Sequence, residues 1–450
     1  MINIRKTLEM QKAFIKGDYD LSLSLAEKAM VLHPGIVEYH RIRILSLSRI
    51  QRHDEAINAA KIAMDNFPGD PLPCGIAVSV AIAAKNFAKC LDFILRLVIA
   101  GGDLNTSLLD KVLTNATIQS SRNNQTPEDV QSHLENQIRI LKEICFITDR
   151  RILLILGNCQ VPVLAEILNS TPNFSERWFA YCYKGVHACT PIELNVLGEA
   201  VPCVDSLVTQ NLFSDRYGQI RTENIRSLFR GKLVIIPTCW FNVTSLDAFR
   251  LTQVSGNNYD LNMHSVFMAQ AFLDGMSIDK ALTFYQKAEM FTKEIMNNNI
   301  KATEESLRLR DRELDFSITD YVMGLFTERR LFYSYNHPSL AVLLEVCDGL
   351  AKRLNIPFQK ENKRYALFDR LVNPLWYTHP RLRKHFGLRY SDEPYFVFNG
   401  RKMDEIKFAE YEYNQFSNQD RESLAKDIIK KKQELVHYDN SRNTQETSSV

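Results

Sequence analysis

The chain has 450 residues, 45% hydrophobic and 24% charged, with 55 Lys and Arg against 53 Asp and Glu and a formal net charge of +2. That length allows two or three domains, and the near-balance of charge gives no broad basic field of the kind that binds nucleic acid. No window approaches about 18 uninterrupted apolar residues, so no membrane span is expected.

The N-terminal stretch MINIRKTLEMQKAF lacks the apolar core of a signal peptide. Nine cysteines without a framework of spacings point to free thiols in a reducing, cytoplasmic setting.

From the start to about residue 102 the sequence repeats with a period of 34. Tyr19, His53 and Phe87 are in phase, as are Leu23, Ile57 and Leu91, and Pro34, Pro68 and Gly102. Small residues recur at Ser22, Ala56 and Cys90, and apolar residues three and four apart predict paired helices. The period resembles the tetratricopeptide repeat, a helix–turn–helix unit of that length. The resemblance implies a scaffold that binds a protein partner; the other reading is a stack that only packs on the next domain. The third unit departs from the pattern, with Ile94 and Leu97 where smaller residues stand earlier. Residues 104–118 read as a capping helix, which closes a repeat domain at 1–118. A polar stretch from Gln119 to Asp129 reads as a linker, and Val130 to Ile147 as an amphipathic connecting helix, making 119–150 a joining segment.

A different pattern starts at residue 151. Ile152 to Leu156 predict a buried strand, Gly157 breaks it, and Pro162 opens an apolar helix. Further strands are predicted over Trp178–Tyr183, Val204–Thr209 and Leu233–Ile236, with helices over Glu193–Ala200 and Thr222–Phe229 between them. This alternation implies a mostly parallel sheet with helices on its faces. Residues 264–355 read as mostly helical, with Ser277 capping a long, partly exposed helix that runs towards Leu314, and a short strand at Phe332–Tyr335. The expected fold is thus multidomain: helical repeats, then an α/β domain over 151–395 with a large helical part, then a C-terminal extension over 396–450. In that extension KDIIKKKQEL reads as a solvated helix face and the tail beyond 437 as disordered.

GNCQ at 157–160 after an apolar strand, VDSLVTQNL at 204–212, LDGMSIDKAL at 273–282, and FSITDYVMGLFTERRLFYSYNHPSLAVLLEVCDGL at 316–350 occur in an order that resembles the WcbI-type polysaccharide-biosynthesis enzymes. NPLWYTHPRLRKHFGL at 373–388 is similar to that family's C-terminal region. The resemblance spans roughly 150 to 390. It implies acyl transfer from coenzyme A or acetyl-coenzyme A to a sugar hydroxyl of a surface (capsule) polysaccharide, with the repeats added for partner binding.

Local chemistry suggests the roles. Cys159, at a strand-to-helix turn, is the candidate nucleophile; the alternative is an inert buried thiol. His337 is the candidate base: Pro338 would open a helix whose positive end lowers the imidazole's pKa. The alternative is a cap for that helix. Gln210 completes the catalytic set, and Asn158, Gln160 and Asn211 are candidate substrate or oxyanion donors; as amides at strand ends they could equally cap loops. Asp205 and Asp320 could orient a histidine or be structural. Arg216, Arg221, Arg226, Arg230, Arg329 and Arg330 are candidate coenzyme A phosphate ligands. Cys182, His187, Cys189 and Cys203 lack the C-x-x-C pairing of a zinc site, so no metal is expected, and Tyr183–Thr190 reads as a loop. His264 and His379 read as structural or surface residues. An esterase or thioesterase would need the same residues, and a scaffold protein none of them.

Overall fold

The computed structural model describes residues 4–103, 105–122, 126–252, 263–360, 371–391, 394–398 and 400–436. Its first six helices form three hairpins: α1 (Ile4–Ile15) with α2 (Tyr19–Leu32), α3 (Val37–Arg49) with α4 (His53–Asn66), and α5 (Pro71–Ala83) with α6 (Phe87–Ile99). The 34-residue period is carried by the backbone. Tyr19, His53 and Phe87 each open the second helix of a hairpin. Two residues before them, Gly17, Gln51 and Lys85 all turn the chain at positive φ (83°, 63° and 53°). Glycine takes that conformation without strain; the two later side chains are held in it by the hairpins around them. Ser22, Ala56 and Cys90 are fully buried, because only small side chains let paired helices approach so closely.

Helix α7 (Thr106–Arg122) extends past the predicted end of the capping helix, and residues 123–125 lie outside the described set. Helix α8 (Pro127–Ile147) opens on a capping box: Thr126 Oγ1 accepts the Asp129 N–H (3.2 Å) and the Asp129 carboxylate accepts the Thr126 N–H (3.1 Å). Its inner face, Leu134, Ile140, Leu141 and Ile144, belongs to one continuous apolar core that runs from Leu23 in the stack to Leu154 and Leu207 in the sheet. The repeats therefore merge with the sheet rather than hang from it.

The sheet follows: β1 (Arg151–Leu156), α9 (Val161–Asn169), α10 (Pro172–Ser175), β2 (Trp178–Tyr181), α11 (Pro191–Ala200), β3 (Ser206–Gln210), α12 (Thr222–Leu228) and β4 (Lys232–Ile236). All pairs are parallel, in the order β2-β1-β3-β4. Alternate residues serve two cores. Ile152, Leu154 and Leu156 face the core shared with the repeats. Leu153, Ile155, Val208 and Val234 face a second core under α9 and the helices that follow. Because β1 has β2 on one side and β3 on the other, the strand order reverses between β1 and β3. A crevice opens at the carboxyl ends of such neighbours.

Beyond the sheet come β5 (Ala248–Phe249), β6 (His264–Ser265), α13 (Val266–Leu273), α14 (Ile278–Lys287), α15 (Lys293–Asp311) and α16 (Thr319–Leu325). The single long helix expected up to Leu314 is two helices, because Ala288 turns left-handed (φ 39°) at the end of α14. Then come β7 (Phe332–Ser334), β8 (His337–Pro338), α17 (Leu340–Leu354), α18 (Pro380–Phe386), β9 (Phe396–Phe398), β10 (Arg401–Met403), α19 (Glu405–Phe416) and α20 (Arg421–Val436). The strand predicted at Phe332 pairs antiparallel with β8 and stays out of the main sheet. Helix α20 is no solvated rod: Leu424, Ile428 and Leu435 are buried in a third core, and Asp427 accepts the Thr252 N–H (2.8 Å). The tail from 437 lies outside the described residues. Among the described residues, no helix is long and apolar enough to cross a membrane.

Candidate active site

The turn after β1 sits at the strand reversal, and its residues are fixed by long-range hydrogen bonds. Gly157 is required by close approach: a Cβ there would lie 2.6 Å from Gln210 Oε1 and 2.7 Å from a Val161 methyl. Gln210, the last residue of β3, accepts the Asn158 N–H on that same Oε1 (2.9 Å). Asn158 Oδ1 in turn accepts the Gln160 N–H (3.0 Å), a local turn that an Asn side chain supplies. Gln160 is the hub. Its Nε2 donates to the carbonyls of Cys239 (2.7 Å) and Asn336 (2.9 Å), and its Oε1 accepts from Gln210 Nε2 (3.1 Å) and the Cys239 N–H (3.0 Å). Both its donors and both acceptor positions are used. One buried amide thus joins the segments after β1, β3 and β4 to the β7–β8 hairpin.

Cys159 stands in this turn, half-buried, one residue before the N-cap of α9. The unpaired N–H groups of a helix start favour a thiolate. Other thiols meet the opposite environment. Burial pushes Cys189 and Cys239 up to about 12, and holds Cys182 and Cys347 well above the ordinary range.

The hairpin brings His337 to the same hub, one residue from the Asn336 carbonyl that Gln160 binds. The dipole argument for its basicity fails, however. Pro338 lies in β8, and Ser339 is the N-cap of α17, so His337 precedes the N-cap by two residues and does not sit in the first turn of the helix. A different device acts on it. Its Nδ1 lies 3.1 Å from the Leu371 carbonyl, which can only accept. The proton therefore resides on Nδ1, and Nε2 keeps the lone pair a base needs.

The other predicted residues divide. Gln160 and Gln210 reach the site, but their amides are bonded to protein partners, so they hold the turns in place and do not face an acceptor as oxyanion donors. Asn211 follows them, its Oδ1 buried and without a hydrogen-bond donor among the described residues. Arg216 donates to the His187 carbonyl (2.9 Å) and lies over the Tyr217 ring (5.5 Å), with no carboxylate partner among the described residues. Arg221 is neutralised by Asp215 (2.7 Å) and Glu223 (3.4 Å), which removes it as a phosphate ligand. Arg226 bonds the Glu313 carbonyl (3.4 Å), and Arg230 is exposed. Arg329 lies exposed over the Tyr321 ring (5.7 Å), and Arg330 donates to the Trp376 carbonyl (3.4 Å). Neither aspartate orients a histidine. Asp320 pairs with Arg308 (3.0 Å) on the surface, and Asp205 accepts the Ile152 N–H (2.8 Å) at the far, N-terminal edge of the sheet.

One neighbour of the turn was weighed in the sequence only as a metal ligand. His187 lies in the loop after β2, whose Val186 N–H donates to the Gly157 carbonyl (2.8 Å). A Cβ on Gly185 would be 2.7 Å from the His187 ring and 3.1 Å from the Asn158 carbonyl carbon, so the imidazole packs beside the thiol turn. No local signal could have found it, since only strand pairing brings β2 beside β1. Among the described residues, no group of three or more His, Cys, Asp or Glu could hold a metal ion.

Comparison with known proteins bears on the fold and family. Residues 152–359 match the family model described as polysaccharide biosynthesis enzyme WcbI. No curated protein matches the chain. Among solved structures, one of WcbI, described as a novel polysaccharide biosynthesis enzyme, aligns at a TM-score of 0.55 and 15% identity, covering 67% of this chain and all of that one. At that identity the likeness shows the fold. A mutant O-GlcNAc transferase from Thermobaculum terrenum covers 95% of this chain and 98% of its own at 12% identity, but its TM-score of 0.22 carries no argument. Across residues 152–359, therefore, the chain matches the model of the WcbI polysaccharide biosynthesis enzyme family, a stretch that contains both the thiol turn and the β7–β8 hairpin.

Proposed function

We propose that the protein transfers an acetyl or similar acyl group from a coenzyme A thioester to a saccharide hydroxyl in surface (capsule) polysaccharide biosynthesis, in the cytoplasm, with Cys159 and His337 as the reacting groups. The observation that carries this reading is the hub. Gln160 follows Cys159 in the chain and bonds the carbonyl next to His337, so a thiol at a helix start and an imidazole belong to one constellation. The family match supports a saccharide substrate. The solved WcbI protein is described as lacking a disulfide bond between coenzyme A and one of its cysteines, which supports coenzyme A as the ligand class.

The chemistry follows from these groups. His337 Nε2 takes the Cys159 thiol proton as the sulfur attacks the thioester carbonyl, and gives it to coenzyme A, which leaves as its thiol. His337 Nε2 then takes the proton of the sugar hydroxyl as that oxygen attacks the acyl-cysteine carbonyl, and returns it to the departing sulfur, which restores the Cys159 thiol and releases the acylated sugar. The residues fit the donor in part. Arg216, without a carboxylate partner among the described residues, offers a cation for its phosphates, and Asn211 Oδ1 a buried acceptor. Gln160 and Gln210 act as positioning residues. The helical stack over 1–118 is read as a tetratricopeptide-like module for a protein partner, joined through 119–150 to the catalytic unit at 151–395, with 396–450 as an extension.

Calorimetry with coenzyme A and acetyl-coenzyme A tests the donor. Binding below millimolar concentration is expected, and none at millimolar ligand removes the assignment. His337→Ala should lower transfer about 10²–10⁴-fold. Wild-type turnover by Cys159→Ala would leave direct attack, with His337 alone as base.

A further inference from the structure

We infer that Trp240 and Tyr335 form the wall against which the acceptor sugar lies, and that this sugar carries an anionic group, a phosphate or a carboxylate. The inference rests on the acyltransferase reading of the same site. Both rings flank the hub. Trp240 follows Cys239, whose N–H and carbonyl both bond the Gln160 side chain (3.0 and 2.7 Å). Tyr335 precedes Asn336, whose carbonyl bonds it too (2.9 Å). The Phe241 N–H donates to the Tyr335 carbonyl (2.6 Å) and ties the two loops together. The rings are half-buried, with centroids 6.5 Å apart and planes 59° apart. Arg310 lies over Trp240 and Arg250 over Tyr335, each 5.5 Å from the ring centre. Arg250 Nε also donates to the Tyr335 hydroxyl.

Two further features point to a ligand. The N–H of the half-buried Trp240 has no acceptor among the described residues and is not among the buried polar atoms, so it is accessible to a bound molecule, whereas that of the buried Trp376 is taken by Asp247 Oδ1 (3.1 Å). Arg250 is exposed and has no carboxylate partner among the described residues. A sugar ring answers both: its weakly positive C–H face suits the negative face of an aromatic ring, and its hydroxyls accept from an indole N–H. A phosphate or carboxylate on that sugar would meet the planar guanidinium of Arg250. Each ring is one residue from a partner of Gln160, which itself follows Cys159, so on the acyltransferase reading the wall belongs to the thiol end of the donor. The nucleotide of coenzyme A lies at the other end of its long pantetheine arm, so the wall meets the molecule that receives the acyl group.

Saturation-transfer NMR on the full chain tests this, with glucose 1-phosphate, glucuronate and methyl glucoside as probes and inorganic phosphate as competitor. The ring protons of glucose 1-phosphate or glucuronate, whichever anion the site prefers, should saturate more strongly than those of methyl glucoside. Trp240→Ala should weaken that signal about tenfold, the size of one aromatic contact and one hydrogen bond. Trp240→Phe, which keeps a ring, should retain part of it, and Arg250→Gln should erase the preference for the anionic sugar. Coenzyme A binding by calorimetry should be unchanged in Trp240→Ala. The inference is overturned if no sugar saturates with the wild type, if inorganic phosphate displaces nothing and Trp240→Ala loses nothing, or if Trp240→Ala loses coenzyme A binding, which would assign the wall to the donor. A wild type that binds the sugar through Trp240 but not coenzyme A would uphold the sugar wall and refute the donor reading.

Discussion

The repeat stack and the thiol site are built on opposite length scales. In the stack each turn, small buried residue and helix stop recurs 34 residues on, and each hairpin packs on the next. At the site one side chain, Gln160, reaches Gln210, Cys239 and Asn336, which are 50, 79 and 176 residues away. A local rule stated three times tolerates exceptions: Gln51 and Lys85 stand where the first hairpin has Gly17. The hub is stated once. Its loss should be felt in the site and in the fold together, whereas damage to the stack should leave the site intact.

The largest effect should come from the hub itself. Gln160→Ala leaves the Cys239 N–H, two carbonyls and the Gln210 amide without their buried partner. It should cost about 3 kcal/mol or more and end selective alkylation of Cys159. Urea unfolding with peptide mapping reads both; a loss near zero would mean the loops hold together without the amide. Ala56→Leu attacks the stack at a fully buried helix contact and should cost about 1–3 kcal/mol by overpacking. Cys159 labelling in that variant should match the wild type, and a change would show that the stack and the site are coupled. Asp205→Ala removes the acceptor of the Ile152 N–H at the opposite edge of the sheet. About 1 kcal/mol is expected, again with Cys159 unaffected.

The smallest effect concerns pH. Burial holds His379 below the ordinary value of 6.5, despite the opposing pull of Asp247. The folded state thus stays neutral where the unfolded chain takes up a proton, and this contribution to stability falls as pH drops through about 6.5. Asp247 and Glu412 are raised by burial, so between their ordinary and raised values they work the other way, and stability gains as pH falls. Thermal melts from pH 7.5 to 5.5 should therefore show a small drop that His379→Gln flattens; an unchanged profile in the variant would exclude His379 as its source.

The same contrast explains what could be read in the sequence. Helices α2, α4 and α6 begin where the 34-residue phase puts them, because a repeat signals itself. The four strands of the sheet were legible because burial on both faces makes continuous apolar runs. The thiol turn was legible as strand, glycine and helix. What the glutamines do there was not, because a saturated amide and an oxyanion donor look alike until the partners are known. The helix-dipole argument for His337 fails: Pro338 reads as a helix opener, yet pairing with β7 holds it in a strand. His187, Trp240 and Tyr335 lie outside any single local pattern, since only the strand order and the hub bring their loops to the turn after β1.

The central claim is that the hub puts a reactive Cys159 and the base His337 in one site, and iodoacetamide alkylation across pH tests it without any substrate. Followed by peptide mass spectrometry, Cys159 should be modified faster at neutral pH than buried thiols such as Cys239, and His337→Ala should slow that reaction and move its pH profile upward. A Cys159 that stays unmodified while the protein is folded, with a rate indifferent to His337, would contradict the account.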